Sequence, residues 1–126
     1  MKRHNFKNLK IWKEAMAIVK ATYKITQTFP DFERYALANQ LIRSAISIPS
    51  NIAEGTSKNS DRHFNKFIQD SLGSAFEWET QLHIAFDQKY IDRSTFEGLE
   101  NKIQELQKMI SGFQKRLQPN LASLDS

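Results

Sequence analysis

Hydrophobic positions recur every three or four residues along four separate stretches of the chain. This spacing places apolar side chains on one face of an α-helix. It predicts helices over residues of about 9–28, 32–54, 61–88 and 94–117, and no strand pattern lies between them. The last stretch is the most regular, because its apolar residues alternate steps of three and four as in helices that pack side by side. These residues are Phe96, Leu99, Ile103, Leu106, Ile110, Phe113 and Leu117.

Proline, glycine and small polar residues separate the first three stretches. Pro30 is expected to stop the first helix and Asp31 to cap the second. Pro49 lies inside the second helix and predicts a kink, because an interior proline removes a backbone hydrogen bond. Gly55 suits the left-handed position after that helix, and Asn59 or Ser60 is the expected N-cap of the third helix.

The last helix has its own boundary signals. Ser94, with Glu97 three residues later, predicts a capping box at its start. Pro119 is expected to end it and to leave residues 118–126 as a mobile tail. Four amphipathic helices with short connections predict a single all-α domain over residues 1–126, an antiparallel up-down-up-down four-helix bundle.

Composition narrows the class of protein. Hydrophobic residues make up 40% and charged residues 25% of the 126 residues, as in globular domains. The absence of cysteine excludes a disulfide scaffold, a thiolate metal site and a cysteine nucleophile. No apolar run approaches the roughly 18 residues of a membrane span, and no apolar segment follows the basic N-terminus as in a secretory signal. A cytoplasmic protein without membrane contact is expected.

Positive charge is concentrated at the start of the chain. Residues 1–24 contain seven basic residues and one acid, a net charge of +6, whereas residues 25–126 have a net charge of −2. On a helical wheel the four lysines of the first helix share the face opposite the apolar stripe, and three further basic residues precede them as an arm. The set is Lys2, Arg3, Lys7, Lys10, Lys13, Lys20 and Lys24. These residues are candidates to bind the phosphates of RNA or DNA; the alternative is that the lysines only solvate the helix.

No catalytic or cofactor pattern is found. Di-iron bundles need two Glu-x-x-His motifs and further inward carboxylates, whereas Glu79 and His83 are four residues apart and occur once. The other histidines, His4 and His63, are distant in sequence, and no glycine-rich phosphate loop is present. The sequence therefore predicts a protein that is not an enzyme and has no metal site or cofactor.

The second helix has a polar face that is nearly free of lysine. It comprises Asn39, Gln40, Arg43, Ser47, Ser50 and Glu54. Small and amide side chains suit packing against another helix or subunit, so this face predicts a homo-oligomer. Glu79 falls at the margin of the third helix's apolar stripe, where a carboxylate needs a partner, and Arg43 or Asn51 is the expected one.

Several segments match a known family. The most characteristic is Ser47–Gly55, with the sequence SIPSNIAEG, and further matching segments are Phe6–Met16, Phe29–Leu41 and Leu72–Ala85. Together they resemble the four-helix-bundle proteins named after 23S rRNA intervening sequences, over essentially residues 6–117. Unlike many members, the chain has one basic residue, not two, at Ile42-Arg43.

The resemblance implies an antiparallel four-helix bundle that assembles as a ring, commonly a pentamer. It also connects the chain to accessory proteins of diversity-generating retroelements, which are basic ring-shaped bundles that associate with nucleic acid and a reverse transcriptase. The expected partners are therefore further copies of the chain, RNA or DNA, and a nucleic-acid-processing protein. The competing hypothesis is a protein-interaction or assembly module without a nucleic-acid role.

Overall fold

The computed structural model describes residues 5–125, with side chains as far as residue 117, and contains four α-helices. No strand occurs within residues 5–125, and two single-turn 3-10 helices precede α1 and α2. The α-helices are α1 (Lys10–Thr26), α2 (Leu37–Thr56), α3 (Asp61–Asp87) and α4 (Arg93–Asp125). The predicted all-α four-helix bundle is confirmed.

Polar contacts join α2 to α3 along their length. Ser44 Oγ donates a hydrogen bond to Gln81 Oε1 at 2.7 Å, and Ser71 Oγ donates one to the Ile48 carbonyl at 2.9 Å. Residue numbers rise along α2 as those of their partners fall along α3. This is the pairing of neighbouring helices that run in opposite directions.

Aromatic rings join α3 to α4 in the same manner. The rings of Phe86 and Phe96 stack with their centroids 4.3 Å apart, and those of Phe64 and Phe113 lie 5.4 Å apart near the other end. Stacked and tilted ring pairs add stabilisation to the apolar area that they bury. They fix the position of α4 against α3 at both ends of their contact.

The core is drawn from all four helices and contains one indole. Trp78 is fully buried, and its Nε1 donates a hydrogen bond to Thr22 Oγ1 at 2.9 Å. The Thr22 hydroxyl in turn donates to the Ile18 carbonyl at 2.6 Å. Both polar groups are thus satisfied in the interior, where an unpaired donor would be destabilising. The aliphatic residues that are fully buried around them include Leu41, Ile48, Ile52, Ile68, Leu82, Ile103 and Ile110.

The second helix begins later than predicted. Residues Asp31–Glu33 form a 3-10 turn, and α2 starts at Leu37, whose N–H donates to Glu33 Oε1 at 3.2 Å. The predicted start at Phe32 and the predicted cap at Asp31 are therefore wrong. Phe32 and Tyr35 are 75% and 85% exposed, so the two large apolar side chains before α2 bury little surface that would favour a helix there.

Gly55 lies inside α2 and has no positive φ, so its predicted left-handed role is wrong. It is buried, and a Cβ built there would lie 2.8 Å from Phe64 Cδ1 on α3. The glycine is needed because the two helices approach closely at this point. The helix continues through Pro49 to Thr56, and the kink at Pro49 stays a prediction.

The N-caps of α3 and α4 differ in how well the sequence predicted them. The Ser60 side chain accepts the His63 N–H at 3.2 Å, which confirms Ser60 as the cap of α3. The cap of α4 is Asp92, whose Oδ1 accepts the Thr95 N–H at 2.7 Å. The predicted capping box at Ser94 is wrong, because Ser94 already lies in the first turn of the helix.

The last helix extends to Asp125, beyond its predicted end at about residue 117. Proline removes one backbone hydrogen bond without necessarily ending a helix, and α4 passes through Pro119 as α2 passes through Pro49. The side chains of residues 118–125, and the whole of Ser126, lie outside the described part of the chain. The mobility of this tail therefore stays a prediction. None of the helices described is both long and apolar enough to cross a membrane.

Candidate nucleic-acid interface

The first helix presents its lysines to solvent. Lys10, Lys13, Lys20 and Lys24 are exposed, as is Lys7 in the preceding 3-10 turn. Within the described part of the chain, none of the five forms an ion pair with a carboxylate. Their charges are therefore available to a partner outside the subunit. Lys2 and Arg3, the other two residues of the predicted basic arm, lie outside the described residues. The opposite face of α1 is buried, through Ile11, Ala15, Ile18, Thr22 and Ile25.

A first depression lies where the start of α1 meets α4. It has a volume of about 420 Å³ and an apolar floor that includes Met109. Lys10 borders it on α1, and Lys108 and Arg116 border it on α4, together with Glu105. The lysine side of α1 therefore continues onto α4.

A second depression, of about 610 Å³, lies at the other end of the same seam. Lys24 on α1 and Lys102 on α4 border it, and Asp92 supplies a negative charge. The N–H of Thr95 and its side-chain hydroxyl hold the pKa of Asp92 below its usual value, because their hydrogen bonds favour the carboxylate. We refer to the exposed lysines of α1, together with the cations of α4 that border these two depressions, as the basic face: Lys10, Lys13, Lys20, Lys24, Lys102, Lys108 and Arg116.

The α4 members of the basic face were missed by sequence reasoning. Lys102 and Arg116 lie one position before Ile103 and Leu117, residues of the regular apolar stripe of α4. Side chains that border such a stripe lie where the helix meets its neighbours. The cations next to the apolar stripe of α4 could have been identified from the sequence. The sequence pattern alone does not show that α1 is the helix beside them.

The predicted polar face of α2 is divided by the structure. Ser47 Oγ lies 2.8 Å from Ser74 Oγ on α3, and Asn51 Nδ2 donates to the Ser47 carbonyl at 2.9 Å. These two residues are half-buried and make their contacts inside the subunit. Arg43, Ser50 and Glu54 are exposed and remain available to a partner.

Glu79 has partners other than those predicted. Its carboxylate accepts hydrogen bonds from Gln104 Nε2 at 3.0 Å and from Gln107 Nε2 at 2.8 Å, both on α4. The predicted pairing with Arg43 or Asn51 is wrong, because Glu79 lies on the side of α3 that faces α4. Arg43 instead points to solvent.

An apolar surface lies on the other flank of α1, where α1 meets α2. Met16, Tyr23 and Ile46 are 41%, 47% and 40% exposed. Two of them, Met16 and Ile46, line a depression of about 300 Å³ together with Trp12 and Pro49. We call these five residues the apolar flank. Exposed apolar patches of this kind often mark protein interfaces.

Most of the chain matches a known protein family. The profile described as 23S rRNA-intervening sequence protein matches residues 7–112. The chain belongs to this family. A solved structure from Bacteroides thetaiotaomicron, described as a protein with unknown function from the S23 ribosomal protein family, is 22% identical. The match covers 83% of this chain and 98% of that one with a TM-score of 0.77, which shows a shared fold. No curated protein matches the chain.

The segment that carries the family resemblance packs α2 against α3. Within Ser47–Gly55, Ser47 contacts Ser74, the Ile48 carbonyl accepts a hydrogen bond from Ser71, and Gly55 allows the close approach of Phe64. The motif therefore has a structural role in this family member. The basic face lies on different helices, α1 and α4.

Proposed function

We propose that the protein is a non-enzymatic, cytoplasmic homo-oligomer that binds structured RNA or DNA through the basic face. The observation that carries the proposal is the row of exposed lysines on α1, which form no ion pair with any described carboxylate. RNA is the first candidate, because the description of the family refers to 23S rRNA.

The chemistry of the basic face suits phosphates more than bases. Lysine is a flexible point charge, and contacts from lysine to the backbone position a nucleic acid without reading its sequence. The cations of α4 extend the charge across the seam, while Glu14, Glu105 and Asp92 keep it moderate. The expected binding is therefore modest for one subunit, strongly salt-dependent and tolerant of sequence.

Assembly would multiply this modest affinity. The apolar flank supports self-association, since a cluster of half-exposed apolar side chains gains stability when a second surface covers it. Family resemblance leads us to propose a ring, with five subunits as the first expectation. A ring that presents several basic faces to one folded RNA would bind by avidity.

The test is binding of purified protein to a structured RNA, followed by fluorescence anisotropy over a range of salt concentrations. If a complex neutralises four or five phosphates, log affinity should fall with log salt at a slope of about −3 to −4.5. Binding that does not change with salt would contradict the proposal.

A charge-reversal variant tests the location. Lys13, Lys20 and Lys24, all changed to Glu, should lose binding and reduce the magnitude of the salt slope by about three, because each lysine accounts for about one phosphate.

The matched control changes three exposed cations that lie on neither α1 nor α4: Arg34, Arg43 and Lys66 to Glu. It alters the net charge by the same amount and should retain most of the binding. Equal loss in both variants would indicate a response to net charge alone and would refute the assigned face.

A protein-interaction or assembly module is the second candidate function. It is favoured by the apolar flank and by the exposure of Phe32 and Tyr35, which lie in the turn before α2. The lysine variant above separates the two candidates, because under this second hypothesis it has no effect on any partner. Met16→Lys with Ile46→Lys should abolish assembly under either hypothesis. Light scattering after size-exclusion chromatography measures the subunit count in both cases.

A further inference from the structure

Three side chains of the types that bind metal ions converge between α3 and α4. Glu79 and His83 lie one turn apart on α3, and Glu100 faces them from α4. One ligand atom from each residue lies within 4.8 Å of the other two. We propose that Glu79, His83 and Glu100 form a binding site for a divalent transition-metal ion, with Zn²⁺ as the representative ion.

The Glu79 carboxylate is already oriented for such a role. Its Oε2 accepts a hydrogen bond from Gln104 and its Oε1 accepts one from Gln107. Each carboxylate oxygen has two acceptor positions, so both retain one for a metal ion. Side chains that hold a ligand in place are a general feature of metal sites and contribute to their affinity.

His83 is held by contacts on two sides. Its Nε2 lies 2.5 Å from Glu100 Oε2, and its ring meets Phe96 edge-on with the centroids 4.8 Å apart. Phe96 is itself stacked on Phe86. The imidazole is therefore positioned by an aromatic pair, and a metal ion would replace the proton that joins Nε2 to the carboxylate.

The donor set selects the class of ion. Histidine nitrogen and carboxylate oxygen are both ligands that Zn²⁺ accepts, whereas Mg²⁺ and Ca²⁺ prefer oxygen ligands alone. The histidine side chain is 49% exposed, so an ion can reach the site from solvent and keep water as a further ligand. Because the ligands come from two helices, binding links α3 to α4.

The experiment is a titration of the full-length, untagged and metal-free protein with Co²⁺, followed by its visible absorption, and with Zn²⁺, followed by calorimetry. We expect one ion per subunit. His83→Ala should weaken binding at least tenfold, and Gln107→Met should weaken it about tenfold through the loss of orientation. Both should fold normally, which circular dichroism checks.

The matched control is His63→Ala, because His63 is also an exposed histidine of α3 but has Ser60 as its partner. It should bind the ion as the wild type does. In proton NMR spectra of the wild type, substoichiometric Co²⁺ should broaden the imidazole signals of His83 and leave those of His63 sharp.

Three results would overturn the site: no saturable binding up to millimolar metal, unchanged binding in His83→Ala, or equal broadening of both histidines. The site shares no residue with the basic face, although Glu79 and Lys108 border one depression between α3 and α4. RNA binding can therefore fail while metal binding holds, and the reverse.

Discussion

Replacement of Gly55 by alanine tests the packing of α2 against α3 most directly. In an open helix position, Gly→Ala stabilises a protein by about 1 kcal/mol, because alanine loses less backbone entropy on folding. At Gly55 the new Cβ would lie 2.8 Å from Phe64 Cδ1 and 3.1 Å from Phe67 Cβ. Favourable carbon contacts have separations of about 3.5–4.0 Å, so both contacts are repulsive.

Neither neighbour can move away easily. The Phe64 ring is 2% exposed and packs against Phe113, and Phe67 Cβ is attached directly to the backbone of α3. Overpacking of a core typically costs about 1–3 kcal/mol, and we expect the upper half of that range here. After the gain from alanine, Gly55→Ala should destabilise the fold by about 1–2 kcal/mol.

Gly73→Ala is the matched control. Gly73 also lies inside a helix, but a Cβ there meets nothing within 4 Å. This variant should be more stable than the wild type by up to about 1 kcal/mol. Both variants change the unfolded chain in the same way, so the difference between them, about 2–3 kcal/mol, isolates the packing cost.

Urea unfolding followed by far-ultraviolet circular dichroism measures both free energies. The protein concentration must be equal in all samples, because self-association would change the apparent stability. If Gly55→Ala were as stable as Gly73→Ala, the two helices would not be in the close contact that we describe, and the structural account of the family motif would be wrong.

Three further predictions concern single side-chain contacts. Thr22→Val leaves Trp78 Nε1 without an acceptor and should lower the free energy of unfolding by about 1–3 kcal/mol. The same change should lower it by less when Trp78 is already phenylalanine. A double-mutant cycle, with each variant unfolded in urea, measures the difference. The hydrogen bond that Tyr90 donates to Glu33 raises the pKa of Tyr90, aided by burial and by the carboxylate charge. Tyr90 therefore ionises at lower pH in the unfolded chain than in the folded protein. Its contribution to stability is fully present below pH 10.0 and is lost as pH rises through the raised pKa. Tyr90→Phe should abolish that fall in urea melts between about pH 9 and 11, and retention of the fall would refute the assignment. Hydrogen bonds from Thr95 lower the pKa of Asp92, so the contribution of Asp92 to stability is present above pH 3.8 and is lost as pH falls through the lowered pKa. Asp92→Asn should remove this acid dependence of the free energy of unfolding and keep the N-cap of α4.

The helices could be predicted from the sequence because each is encoded by a local repeat of apolar positions. The start of α2 could not be predicted, because Phe32 and Tyr35 look like part of the apolar face that begins with Leu37. In the structure both are exposed and lie before the helix. The chain reverses direction there, and Glu33 supplies the acceptor for the first N–H of the helix. Composition does not distinguish an apolar residue in a turn from one in the core.

The exposure of the α1 lysines followed from the helical wheel, whereas the contacts between helices did not. The partner of Glu79 depends on which helix lies beside it, and the two glutamines of α4 that bind it are 25 and 28 residues away in sequence. Glu100 reaches His83 across the same interface. Pairings of this kind depend on the rotation of each helix in the bundle, which a repeat of apolar positions determines only approximately.

The position of the family motif limits what membership of the family says about binding. Ser47, Asn51 and Gly55 make their contacts inside the subunit, so a chain can keep this segment and the fold without keeping any partner. The proposed binding surface depends instead on exposed lysines, whose replacement disturbs no contact in the described core. Nucleic-acid affinity should therefore vary among family members with the charge of α1 and the facing side of α4, and not with the match to the motif. A member with the full motif and a neutral α1 provides the decisive comparison: RNA binding equal to that of this protein would remove the basic face as the site.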